Sequence, residues 1–289
     1  MEQSLLSTVF LPVALAIIML GMGLSLTIRD FQRITLYPKA VFTGLFCQLI
    51  LLPLVAWIIA SGMDLDPALS VGIMVLSLCP GGATSNLITH LAKGDTALSI
   101  TLTAITSTIT VFTLPYLINL SSEYFIGSGQ YVELPILKTM AQILLVTLLP
   151  VAIGMILNHY FPAFAASADR TVRIASVVFI VLVIVGIAIK ERAHIVDFFV
   201  QSGLAGLLLN VFSMAMGFLV AKLARLTPFQ QATVTIETGI QNGTLAIAIT
   251  AGIIGNAAMA IPAATYSLIM FFTAALLVPI FARYFASIR

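Results

Sequence analysis

Thr235-Ile236-Glu237-Thr238-Gly239-Ile240-Gln241-Asn242 places one carboxylate deep within long apolar stretches on both sides. The other acidic residues fall in predicted loops or near the chain ends. An Asp-like charge at a bilayer centre costs roughly 2.5 to 3.5 kcal/mol on insertion scales, so such a group must be neutralised, paired or bound to a cation. No Lys, Arg or His lies in the interior of a predicted span to pair with it; Lys39, His90, Lys138 and Arg173 fall at span ends. A proton or a metal cation remains, and the oxygen-bearing neighbours favour the metal. The expectation is a cation-coupled carrier.

Composition agrees with burial in lipid. The chain is 60% hydrophobic and 8% charged, with mean hydropathy +1.13, far from the balance of a water-soluble domain. A crossing needs about 20 apolar residues. Nine stretches qualify, at about 5–27, 38–61, 67–91, 96–119, 135–157, 171–189, 196–221, 227–251 and 257–282. With the N-terminus outside, Arg29, Arg33, Lys39, Lys93, Arg170, Arg173, Lys222, Arg225, Arg283 and Arg289 are cytoplasmic, leaving Lys138, Lys190 and Arg192 outside. That bias supports nine helices, N-out and C-in. No basic region precedes the first apolar stretch, so a cleaved signal is not expected. Cys47 and Cys79 fall within spans and read as packing residues. Without a basic cluster interleaved with aromatics, nucleic-acid binding is not expected.

The connections are short, and the longest is expected over 121–134. Two spans are interrupted. Cys79-Pro80-Gly81-Gly82-Ala83-Thr84-Ser85-Asn86 breaks the third, and the Glu237 segment, with Gly239 and Gly243, breaks the eighth. Proline removes an amide donor and glycine loosens the helix. Broken helices at membrane depth are tolerated in protein or beside a cavity, and matched breaks point to a transporter site built from inverted repeats. Here they lie five helices apart, so the two broken helices run in opposite directions. Asn86 and Asn242 each close their break, and capping of the restarted half-helices is the plain structural reading of both, compatible with ion or substrate contact.

Thr84, Ser85, Asn86, Glu237, Thr238, Gln241 and Asn242 offer oxygen, as do Ser99 and Thr103 on one helical face and Gln48 in the second span. Oxygen ligands with one carboxylate suit a monovalent cation. His90, His159 and His194 sit at span ends or in loops. A proton-coupled carrier titrating Glu237 is the rival reading. A membrane-embedded enzyme would call for paired carboxylates or a His-rich metal set, and neither is visible.

The chain resembles the bile acid:sodium symporter family over essentially its full length. The resemblance rests on Gly21-Met22-Gly23-Leu24, Gln48 with Pro53, Cys79-Pro80-Gly81-Gly82 ending in Ser85-Asn86, and Glu237-x-Gly239-x-Gln241-Asn242. It implies an all-α membrane protein of two inverted repeats, here in a form lacking the first helix. The two broken helices would cross, in a core domain (about 38–119 and 196–282) that moves against a panel domain (about 5–27 and 135–189) to alternate access. It implies two sodium ions as coupling ions and no other cofactor. The first falls on Ser85, Asn86, Ser99, Thr103 and Glu237. The second falls on Gln48, Glu237 and Gln241, with main-chain oxygens of Thr238 and Ile240. Ala83, Thr84, Asn86, Asn242 and Gly243 are the substrate-binding candidates. Ala83 departs from the hydroxyl residue of some relatives. The last span offers Tyr266, Ser267 and Thr273 near the expected cavity, but no Asn or His. The implied substrate is an organic anion, bile-acid-like or a small carboxylate such as pantoate or a keto acid. A monomer in a bacterial inner membrane is the expected setting.

Overall fold

A computed structural model of the chain describes residues 11–129, 131, 133–168, 171, 178, 182, 185, 189 and 195–288. Nearly all of the predicted sixth span, with Arg170, Arg173, Lys190, Arg192, His194 and Arg289, lies outside the described residues.

The described residues are mostly helical and form no strand. In order they are α1 (Leu11–Leu24), α2 (Ile28–Leu36), α3 (Pro38–Phe46), α4 (Leu52–Gly62), α5 (Pro67–Leu78), α6 (Ala83–Leu91), α7 (Thr96–Ile126), α8 (Ile136–Val146), α9 (Leu148–Tyr160), α10 (Ile195–Leu223), α11 (Pro228–Gly239), α12 (Gly243–Ile247) and α13 (Ile261–Ile288). Among the described residues, five helical stretches are long and apolar enough to cross a membrane, or six when α5 and α6 count as one bent span. Pro12–Leu24 is apolar but shorter.

Helix starts follow local chemistry. Asp66 and Asp95 accept from the amides of Ala68 and Leu98 to cap α5 and α7. Thr227 and Gln230 form a reciprocal capping box ahead of α11, satisfying two donors that a helix N-terminus leaves free. A π-helical turn, Cys47–Leu51, joins α3 to α4, with Pro53 just beyond it. Proline supplies no amide to the regular ladder, which favours such a wide turn.

Three connections differ from expectation. The polar, amphipathic α2 fills what reads as a loop after the first span, and its Asp30 carbonyl accepts from Thr101 Oγ1 on α7. Residues 121–126 continue α7 instead of opening the longest loop. Ser121 and Ser122 are buried there, Ser121 Oγ bonds back to Leu117 O, and the helix stops at Gly127, whose φ of 101° suits glycine. The fifth span divides at Thr147, because Pro150 cannot donate to the carbonyl one turn earlier.

The molecule is apolar outside and partly polar inside. Phe271, Phe272, Leu276 and Ile280 are exposed, whereas Gln48, Ser85, Ser99, Thr103, Glu237 and Gln241 are buried. With no water in a hydrocarbon core to bond polar groups, they turn inward and pair with one another. α1 packs on α8 and α9, α5 on α7, and α10 on α11 and α13. Both broken helices lie inside this assembly.

Candidate functional site

α5 ends at Leu78, and α6 restarts at Ala83 with a bend of 64°. α11 ends at Gly239, and α12 restarts at Gly243. The two breaks meet directly: the Asn242 amide donates to Pro80 O at 3.0 Å. One unwound strand therefore satisfies the other.

The Glu237 side chain reaches back across this crossing. Its Oε1 accepts from Ser85 Oγ at 2.8 Å and from Ser99 Oγ. Thr103 Oγ1 lies 3.1 Å from Oε2 and 3.4 Å from Oε1. Asn86 Oδ1 completes the cluster, 2.8 Å from Ser99 Oγ and 3.3 Å from Thr103 Oγ1. All five residues of the first candidate cation set are thus brought together. Gly81 makes the space, since a Cβ there would stand 2.5 Å from Glu237 Oε2 and 3.1 Å from Ser85 Oγ.

The cluster is rich in oxygen and short of protons. Ser85, Ser99 and Thr103 hold three hydroxyl protons between them. Those protons face both oxygens of Glu237, Asn86 Oδ1 and Gly82 O, to which Ser85 Oγ is also 2.8 Å. Each hydroxyl donates one proton, so lone pairs remain unmatched. That arrangement suits a hard cation. Among the described residues no three His, Cys, Asp or Glu side chains gather as a metal group.

The second candidate set lies alongside. Gln48 Nε2, in the π-helical turn, donates to Gln241 Oε1 at 2.6 Å and to Cys79 O at 3.2 Å. Gln241 Nε2 donates to Glu237 O at 3.2 Å and Thr238 O at 2.9 Å. Glu237 therefore joins this set through its main-chain carbonyl, while its carboxylate faces the first. Thr238 also joins through its carbonyl, because its hydroxyl is spent on Val234 O. Ile240 is buried in the break, its amide bonded to Ile236 O.

The substrate candidates divide. Ala83 is exposed, Thr84 and Asn86 are half-buried, and Asn242 and Gly243 are buried. Asn242 Oδ1 caps α12 through the Leu245 amide at 3.0 Å. Asn86 does not cap α6: it sits inside that helix, whose N-cap is Gly82. Cap geometry puts the capping residue ahead of the first turn, and Asn86 comes too late. Ser267 Oγ bonds Ala263 O, beside Gly243, and the Tyr266 hydroxyl turns inward to Gly239 O. Both hydroxyls are spent on main-chain carbonyls. Sequence reasoning missed Asn210, which is fully buried and donates to the same Gly239 carbonyl. Its signal was available: an amide side chain within the apolar run 196–221.

The sequence that builds this crossing matches a known set of proteins. A family model described as Sodium Bile acid symporter family matches residues 12–198. The chain belongs to the sodium bile acid symporter family. It is 33% identical over 245 residues to an uncharacterized sodium-dependent transporter, YocS, of Bacillus subtilis (strain 168), covering 83% of this chain and 73% of that one. It is 30% identical over 238 residues to the ileal sodium/bile acid cotransporter of Homo sapiens, covering 82% and 67%. A probable sodium/metabolite cotransporter of Arabidopsis thaliana chloroplasts, BASS1, is 30% identical over 262 residues, covering 88% of this chain and 62% of its own. The family model stops short of Glu237, so the second half of the crossing rests on the geometry.

Proposed function

We propose that this chain is a secondary active transporter that couples sodium to the symport of an organic anion. The observation that carries the reading is the surplus of oxygen lone pairs around Glu237 at the crossing of two broken helices. Sodium at Ser85, Asn86, Ser99, Thr103 and Glu237 would take up those lone pairs. The hydroxyls would only need to rotate their protons away. A second sodium at Gln48, Gln241 and the carbonyls of Glu237, Thr238 and Ile240 would require the Gln241 amide nitrogen to leave the two carbonyls it covers.

Both ions would bridge segments from different parts of the chain, so occupancy would stiffen the crossing and preorganise the neighbouring surface. The first turn of α6 brings amide donors and the positive end of a helix dipole to that surface. An anionic group on the substrate fits there, against Ala83, Thr84, Asn86, Asn242 and Gly243. Two sodium ions with one monoanion would carry one net positive charge inward, adding about 2.3 kcal/mol of driving force per 100 mV.

The nine-span reading, N-out and C-in, belongs to this proposal, as do one protomer per transport unit and a bacterial inner membrane. So does the division into core and panel. Packing of α1 on α8 and α9 supports a separate panel that moves for alternating access.

The test uses purified protein melted in sodium or in choline at equal ionic strength, with a panel of organic anions. Sodium is expected to raise the melting temperature, and the substrate to act further only when sodium is present. Glu237→Gln should abolish both effects. Wild-type sodium response in that variant would overturn the reading, and sodium-independent uptake that accelerates at acid pH would select proton coupling instead.

A further inference from the structure

The last turn of a helix leaves carbonyls without partners, and α11 ends in the middle of the site. Each of its final carbonyls is met differently. Ile236 O accepts from the Ile240 amide, and Glu237 O and Thr238 O accept from Gln241 Nε2. Gly239 O accepts twice, from Asn210 Nδ2 on α10 at 2.7 Å and from the Tyr266 hydroxyl on α13 at 2.7 Å. Asn210 Nδ2 also lies 3.1 Å from Tyr266 Oη. Both side chains are fully buried.

The surroundings are built for this contact. A Cβ on Gly239 would run into the Met214 side chain, one turn along α10 from Asn210. Glycine lets α10 approach closely enough for Asn210 to reach the carbonyl. Gly206, one turn earlier on the same face, lies against Tyr266. Asn210 Oδ1, meanwhile, is buried with no hydrogen-bond partner among the described residues. The donor end of Asn210 is what the position uses.

We infer that Asn210 and Tyr266 are positioning residues for the cation site: together they clamp the Gly239 carbonyl, fixing the segment that carries Glu237 and Gln241, two residues to either side. The clamp ties α10 and α13 to the end of α11, while the Asn242 amide ties the same segment to Pro80. With both ends of the unwound strand held, the carboxylate and the Gln241 amide keep their register towards the ion. This rests on the sodium-coupled reading above.

The test is sodium titration of thermal stability, in choline-balanced buffer, for full-length wild type, Tyr266→Phe, Asn210→Ala and Glu237→Gln. Tyr266→Phe removes one hydroxyl and keeps the ring. It should raise the sodium concentration for half-maximal stabilisation about fivefold, the equivalent of one hydrogen bond. Its sodium-free melting temperature should stay within about 2 °C of wild type. Asn210→Ala should shift the same midpoint, and the double variant should shift it by less than the two combined, since both donate to one oxygen. An unchanged sodium midpoint in both single variants, with melting lowered equally in sodium and choline, would make the clamp merely structural and overturn the inference. Should Tyr266→Phe fail to fold, Asn210→Ala decides alone. A full sodium response in Glu237→Gln would instead remove the underlying reading.

Discussion

The two breaks achieve the same thing by opposite chemistry. At Cys79–Gly82 the helix stops because Pro80 has no amide to give, and the freed carbonyls are served from elsewhere in the molecule. Gln48 donates to Cys79 O, and the Asn242 amide to Pro80 O. At Ile240–Asn242 no proline intervenes. Instead Gln241 folds back on its own helix end, Asn210 and Tyr266 take the Gly239 carbonyl, and Asn242 caps the restart. The first break is thus a recipient, served by Gln48 and by its partner, while the second is held by its own Gln241 and Asn242 together with α10 and α13, and carries the charge. An unwound segment at membrane depth persists where every polar group finds a partner, and here the crossing itself supplies part of the partnership.

The glycine pair of the first break gives the sharpest way to break this comparison. Gly81→Ala would press a methyl group against the Glu237 carboxylate, whereas a Cβ on Gly82 would come no closer than 3.6 Å to Asn242. Overpacking of this kind costs about 1–3 kcal/mol. Gly81→Ala is therefore expected to raise the sodium midpoint of thermal stabilisation about tenfold or more, with Gly82→Ala near wild type. Equal midpoints in the two variants would mean that the carboxylate does not need its present position.

A smaller effect separates the two restarts. α12 has a side-chain cap and α6 has none. Asn242→Ala should cost about 1 kcal/mol and lower the melting temperature by about 2–4 °C, in sodium and in choline alike. A loss confined to sodium-containing buffer would move Asn242 from cap to ion contact. The smallest effect is expected at Thr238, whose hydroxyl serves its own helix and whose carbonyl alone faces Gln241. Thr238→Val should leave stability within about 0.5 kcal/mol and the sodium midpoint unchanged. A large midpoint shift in that titration would place the hydroxyl, not the carbonyl, at the ion.

Much of this was legible in the chain. Pro80 with two following glycines and Glu237 within an apolar run are local signals, and local chemistry breaks helices wherever they fold. Ser85, Asn86, Ser99, Thr103 and Gln48 could be named because oxygen-bearing side chains inside apolar spans must find polar company. The signals failed where tertiary packing overruled local polarity. Ser121, Ser122 and Glu123 read as a loop, yet the buried serines let α7 run on to Gly127. Asn86 closes the first break in sequence but lies inside α6, accepting from Ser99 and Thr103. α2 was too short and polar to register among apolar spans.

The amino-acid order alone determined that this protein is an all-helical chain of lipid-like composition, with two interrupted spans and one deep carboxylate, because each of those follows from the solvation cost of residues adjacent in sequence. Only the tertiary structure decided that Asn242 hydrogen-bonds Pro80, that Glu237 offers its side chain to one cluster and its backbone to another, and that Asn210 and Tyr266 share a single carbonyl. Such pairings join residues tens to more than 150 positions apart, and side-chain direction at that range is set by how helices dock, which no neighbouring residue encodes.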